Sequence, residues 1–107
     1  MSQFYLLNSP ILTSYGQWRF ESISVQDARL LVQNGFISAI GHESTAQILS
    51  ALLQQPVACQ RISITMQPHD KALVFRLKQR LSDMRELSLA EIEQLPFELG
   101  LLTFLSK

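Results

Sequence analysis

Apolar residues open the chain as a short block, Gln3 to Leu7 (QFYLL), that ends at Asn8-Ser9-Pro10. Aromatic and apolar side chains in so short a run, closed by turn formers, predict a buried strand entering a loop. Gly16 precedes a second short candidate strand, Gln17 to Glu21. Ser24 then suits the N-cap of a helix, with Asp27 as its capping-box partner. Ala28, Leu31 and Val32 share one face of that helix, and Asn34-Gly35 supplies the stop. Phe36 to Ile40 is apolar but too short to assign. After Gly41, residues 43–54 carry Ala46, Leu49, Leu52 and Leu53 at helical spacing before Pro56.

The middle of the chain alternates. From Arg61 to Gln67 the even positions are apolar and the odd ones polar, the period of a half-buried strand. Pro68 to Lys71 reads as a turn. Leu73, Phe75 and Leu77 then alternate with Val74, Arg76, Lys78 and Arg80. Two alternating strands joined by a four-residue turn most simply form a hairpin. Ser88-Leu89-Ala90-Glu91 is a capping box for a short helix that stops before Pro96, and Phe97 to Leu105 reads as a final central strand. Four or five strands and about three helices, partly alternating, predict a single α+β domain over 1–107 with a mixed sheet.

A chain of 107 residues is of one-domain length and buries a real core without staples. Its one cysteine, Cys59, forms no internal disulfide, which suits a reducing cytoplasm. The start Met1-Ser2-Gln3-Phe4 lacks the pattern of a signal peptide, and no apolar run reaches membrane-spanning length. Two histidines and one cysteine, widely spaced, are too few for a usual zinc site, so neither metal nor cofactor is expected.

Nine Lys and Arg balance nine Asp and Glu. A neutral chain argues against a duplex-DNA binder, whose affinity comes from cations set against phosphates. The neutrality is an average. Residues 61–85 hold six of the nine cations and only Asp70 and Asp83 as anions, so that segment carries +4 and the rest −4. Within it, Arg76, Lys78 and Arg80 share strand parity. A hairpin pairing Gln67 with Ala72 sets Arg61 opposite Lys78. Like charges so placed repel unless an anion lies between them. Either this is a solvated basic face paired with nearby acids, or it is a small phosphate-binding surface.

The second candidate is Gly41-His42-Glu43-Ser44-Thr45. Glycine permits close backbone approach, and the helix that follows offers free amides and a positive dipole end to an anion. Ser44 and Thr45 add hydroxyls, and histidine is the side-chain type that exchanges a proton near neutral pH. A helix-start Ser or Thr is also an ordinary cap, and a lone histidine is often structural.

The order of these blocks is more specific than any one of them. Tyr5-Leu-Leu-Asn8, the Asn34-to-Thr45 block with its G-H-x-S-T core, Arg61 and Gln79-Arg80-Leu81 together resemble the viral type III anti-CRISPR ring nucleases. The resemblance spans nearly the whole chain. It implies a homodimer that binds cyclic tetra-adenylate across its two-fold axis. It also implies cleavage of that ring to linear di-adenylate with 2′,3′-cyclic phosphate ends, which silences type III CRISPR signalling. On the same resemblance His42, Arg80 and Asp83 are the catalytic group. Asn8, Gly41, Ser44, Thr45, Arg61, Arg76 and Gln79 face the ligand. Asp83 stands where the family usually has Glu, one methylene longer.

That chemistry needs no attacking water. The ring's own 2′-hydroxyl attacks the adjacent phosphorus, so the protein must align it, stabilise the charge and protonate the departing 5′-oxygen. His42 would be the general acid. Two other readings stand beside this one: a binding protein that sequesters a cyclic oligonucleotide uncut, and a small regulatory or interaction protein of a mobile element.

Overall fold

The computed structural model describes residues 2–78 and 89–107. In chain order they form β1 (Phe4–Leu7), β2 (Gln17–Ser22), α1 (Val25–Val32), β3 (Ile37–Ser38), α2 (Glu43–Leu53), β4 (Lys71–Leu77), α3 (Leu89–Gln94) and β5 (Phe97–Ser106). The result is an α+β domain with a five-stranded mixed sheet ordered β2-β5-β4-β1-β3. β1 runs parallel to β3 and β4, and β5 runs antiparallel to β4 and β2. Every strand except β5 therefore points the same way.

Strand parity sorts the core into two clusters. Leu6, Leu73, Phe75 and Leu99 pack under the helices with Ala28, Val32, Leu49, Leu52 and Ile92. Tyr5, Leu7, Ala72, Val74, Leu102 and Phe104 point to the opposite face, where Met66, Ile64 and Trp18 cover them. Trp18 stacks flat on Phe104, ring centroids 4.1 Å apart. The predicted cap of α1 is present: the Asp27 amide donates to the Ser24 hydroxyl at 3.1 Å. Gly35 closes the turn after that helix, its amide donating to the Val32 carbonyl at 3.1 Å. Ser88 of the other predicted cap lies outside the described residues. The unassigned link 36–40 contains the edge strand β3.

The hairpin is not formed. Residues 61–67 belong to no strand, and β4 is flanked by β1 and β5. The alternation of 61–67 instead reports an extended strap across the helix-free face, with Met66 buried, Ile64 half-buried and Ile62 exposed. Arg61 accordingly does not oppose Lys78. The register partner of Arg76 is Glu98, and the Lys78 ammonium lies 3.5 Å from the Glu98 carboxylate. Of the C-terminal apolar residues, Leu99, Leu102 and Phe104 are buried in β5, while Leu101 and Leu105 are half-buried.

Asp70, read as part of a polar turn, is buried. Its carboxylate accepts from the Gln3 amide at 2.7 Å and the Gln67 amide at 2.8 Å, tying the strap's end to the start of β1. Burial pushes the Tyr5 phenol above its ordinary 10.0, and the Asp70 carboxylate adds to the shift. Among the described residues, no helix is long and apolar enough to cross a membrane.

Candidate functional site

The site is built where the parallel strands end. β1 finishes at Leu7, so Asn8, half-buried, leaves the sheet between the ends of β3 and β4. The Ala39 amide donates to the Leu6 carbonyl at 2.9 Å, which carries the chain past β3 along β1 and delivers Gly41 to that same end. In open sheets containing parallel strands, ligands gather beyond the carboxyl ends of those strands.

His42 is the N-cap of α2, with extended backbone (φ −126°, ψ 129°) and no side-chain cap hydrogen bond. Its carbonyl accepts the first helical bond, from the Ala46 amide at 3.0 Å. The amides of Glu43, Ser44 and Thr45 consequently have no partner within the helix. The imidazole is exposed, while Ser44 and Thr45 are half-buried in the first turn. This helix end thus combines amides without intrahelical partners, two hydroxyls and an imidazole that takes no part in capping.

Arg61 reaches the same place by a path that local sequence does not reveal. Residues 58–61 run beside 38–41: Ile40 bridges Cys59 in parallel, and the Gln60 amide donates to the Ile40 carbonyl at 2.8 Å. The buried Ser38 hydroxyl donates to the Ala58 carbonyl at 2.6 Å, and the Gln60 side chain donates to the Ser38 carbonyl at 3.1 Å. One step further, Arg61 Nε donates to the Gly41 carbonyl at 2.9 Å. The guanidinium is held through Nε, leaving its two terminal nitrogens for a bidentate acceptor such as phosphate. Gly41 permits this closeness, because a Cβ there would stand 3.3 Å from Arg61 Cγ.

Of the residues singled out in the sequence, the structure brings Asn8, Gly41, His42, Ser44, Thr45 and Arg61 to one end of the sheet. Arg76 sits at that end too, but its parity with Ala72 and Val74 turns it to the face away from the helices. Gln79, Arg80 and Asp83 lie outside the described residues. Among those described, no group of three His, Cys, Asp or Glu side chains stands ready to hold a metal ion.

Three comparisons bear on this arrangement. The family described as STIV B116-like matches residues 4–99. The uncharacterized protein ORF117 of Acidianus two-tailed virus is 32% identical over 102 residues, covering 89% of this chain and 87% of its own. The uncharacterized protein YddF of Bacillus subtilis is 30% identical over 100 residues, covering 91% and 93%. In structure, the chain is similar to B116 of Sulfolobus turreted icosahedral virus. The TM-score is 0.85 at 22% identity, over 95% of this chain and 99% of that one.

Proposed function

This chain belongs to the STIV B116-like family, and from that premise and the site's geometry we propose that it is a ring nuclease. It acts as a homodimer in the cytoplasm, binds cyclic tetra-adenylate and cuts it to linear di-adenylate with 2′,3′-cyclic phosphate ends. The family supplies the frame; the activity rests on the sequence resemblance together with the site. One observation carries most of it: the hydrogen bond from Arg61 to the Gly41 carbonyl at 2.9 Å. It sets an anchored guanidinium beside the first-turn amides of α2, which have no partner within the helix, and the His42 imidazole, which takes no part in capping.

In the proposed reaction the 2′-oxygen of one nucleotide forms a bond to the adjacent phosphorus, and the bond from phosphorus to the 5′-oxygen breaks. The 2′-hydroxyl proton passes to solvent, and His42 gives its proton to the departing 5′-oxygen. The helix amides and Arg61 hold the phosphoryl oxygens as charge builds on them, which is where preorganised donors contribute most. Arg80 and Asp83 keep the roles that the resemblance implies. A two-fold dimer presents two such sites to a ring that is itself symmetric, in keeping with cuts at opposite phosphates.

Incubating the purified chain with cyclic tetra-adenylate and separating the products tests the reading. Linear di-adenylate is expected. Ligand that is bound but stays intact would favour sequestration instead. Arg61→Lys sharpens the test, because lysine keeps the charge but loses the planar fork held through Nε. The rate is expected to fall about 10²-fold, the scale of losing one oriented transition-state donor.

A further inference from the structure

Residues 58–61 carry Arg61 to the site without being a strand. Among the described residues their one bridge is that of Cys59 with Ile40, and a single bridge specifies register only weakly. A slip of one residue would move Arg61 by about 3.3 Å and take its Nε out of hydrogen-bonding reach of the Gly41 carbonyl. That bond does not hold the side chain by its own strength. It is exposed to solvent, and the net worth of such a bond does not exceed the rotamer freedom an arginine loses. The backbones of Gly41 and Arg61 must therefore already stand at the right separation.

Two polar side chains set that separation. Ser38, the second residue of β3, is only 3% exposed, and packing alone would be served there by alanine or valine. Its hydroxyl donates to the Ala58 carbonyl at 2.6 Å and accepts from the Ile40 amide at 3.4 Å, so it stands between the two runs. Gln60, which is exposed, grips two carbonyls of the facing run. Its backbone amide donates to Ile40 at 2.8 Å and its Nε2 to Ser38 at 3.1 Å. Bonds from residue 60 to both 38 and 40, and from 38 to 58, fit one register only. The run also leaves α2 from a fixed point, because the Val57 amide donates to the Ser50 hydroxyl at 2.9 Å.

We propose that Ser38 and Gln60 are positioning residues for Arg61. They lock the register of 58–61 against 38–41 and so aim the guanidinium at a phosphate lying beyond the start of α2. That the target is a phosphate rests on the ring-nuclease reading; the aiming rests on the hydrogen bonds themselves. Neither side chain needs to touch the ligand. Both act through Arg61, so losing either one costs rate only while Arg61 is present.

The test is a double-mutant cycle of Gln60→Met with Arg61→Lys, with Ser38→Ala as a second probe of the clasp. Methionine keeps the length of glutamine and removes the donor, and at an exposed position it leaves the fold intact. Ser38 is buried, so Gln60→Met decides alone if Ser38→Ala does not fold. With cyclic tetra-adenylate, Gln60→Met is expected to lower kcat at least about tenfold with little change in KM, since a misplacement of about 1 Å can cost about 10²-fold. In the Arg61→Lys background the same substitution should cost less than about twofold. A readout independent of turnover is the Arg61 Nε–H signal in nitrogen-edited NMR spectra, identified by its loss in Arg61→Lys. It should exchange slowly with solvent in the wild type and rapidly in Gln60→Met and Ser38→Ala. A wild type without a slowly exchanging signal, a signal unchanged in Gln60→Met, or an equal loss of rate with and without Arg61 overturns the clasp. If the signal behaves as expected while the wild type leaves the ring uncut, the clasp stands and the ring-nuclease reading falls. If Gln60→Met cuts the ring as fast as the wild type, the clasp falls and that reading stands.

Discussion

Replacing His42 with alanine is expected to slow cleavage of cyclic tetra-adenylate by about 10²–10⁴-fold, the usual worth of a positioned general acid. Binding should change far less, because the amides of α2 and Arg61 remain. The fold should also survive: the imidazole is exposed and makes no cap hydrogen bond, so the helix start does not depend on it. His42→Asn separates chemistry from stability. Asparagine is among the best N-caps, so this variant should unfold at a temperature no lower than the wild type while losing the same catalysis. Initial rates alongside thermal unfolding of both variants check the point. A His42→Ala protein that cuts within a few-fold of wild type would remove histidine from the mechanism.

The largest expected loss of stability lies at Asp70. Its buried carboxylate accepts two backbone amides, from Gln3 and Gln67, and hydrogen bonds to a charged group contribute about 1.5–3 kcal/mol each. In Asp70→Asn one oxygen becomes an amino group that faces an amide donor, so one bond is replaced by a clash of donors. A destabilisation of about 3 kcal/mol is expected, read from the midpoint of urea unfolding. The variant should also lower the Tyr5 phenol toward its ordinary range by removing the nearby negative charge. The sign follows from linkage. A phenol raised above 10.0 in the folded state leaves stability unaffected below that pH and erodes it as pH rises further. That alkaline loss should be smaller in Asp70→Asn. Equal urea midpoints for the two proteins would mean that the clamp contributes nothing.

Local patterns carried the elements whose determinants are local. Ser24 and Asp27 marked the start of α1, and the spacing of Ala46, Leu49, Leu52 and Leu53 marked α2, because caps and helical faces are written within a few residues. Strand pairing was legible only as far as neighbours in sequence become neighbours in space. β4 pairs in parallel with β1, some sixty residues earlier, and no alternation encodes such a partner. Its first half is covered on both faces, so Ala72 and Val74 are buried where a one-sided strand would be polar. The strap at 61–67 shows the converse: alternation reports one wet side and one dry side, whether or not a ladder forms.

The candidate site divides along the same line. Gly41 to Thr45 could be read as a helix start able to receive an anion, since glycine, histidine and hydroxyls stand consecutively. Arg61 was singled out for its charge, but its contact with Gly41 depends on the side-by-side run of 38–41 and 58–61, twenty residues apart. Asp70 closes the turn that Pro68 and His69 make, its amide donating to the Gln67 carbonyl at 3.0 Å. Its burial follows from the position of Gln3, far away in the chain. Nothing local marks Phe20 and Gly100, for a ring seated on a glycine across two strands exists only once β2 and β5 are paired.

In the proposed mechanism this chain's own residues drive attack by the ligand's 2′-hydroxyl. That mechanism is tested most directly by single-turnover cleavage of cyclic tetra-adenylate in excess EDTA, in water enriched in the heavy oxygen isotope, with products read by mass spectrometry. Linear di-adenylate bearing a 2′,3′-cyclic phosphate and no heavy oxygen is expected. An intact ring, or a first product whose phosphate carries oxygen from the solvent, would contradict it.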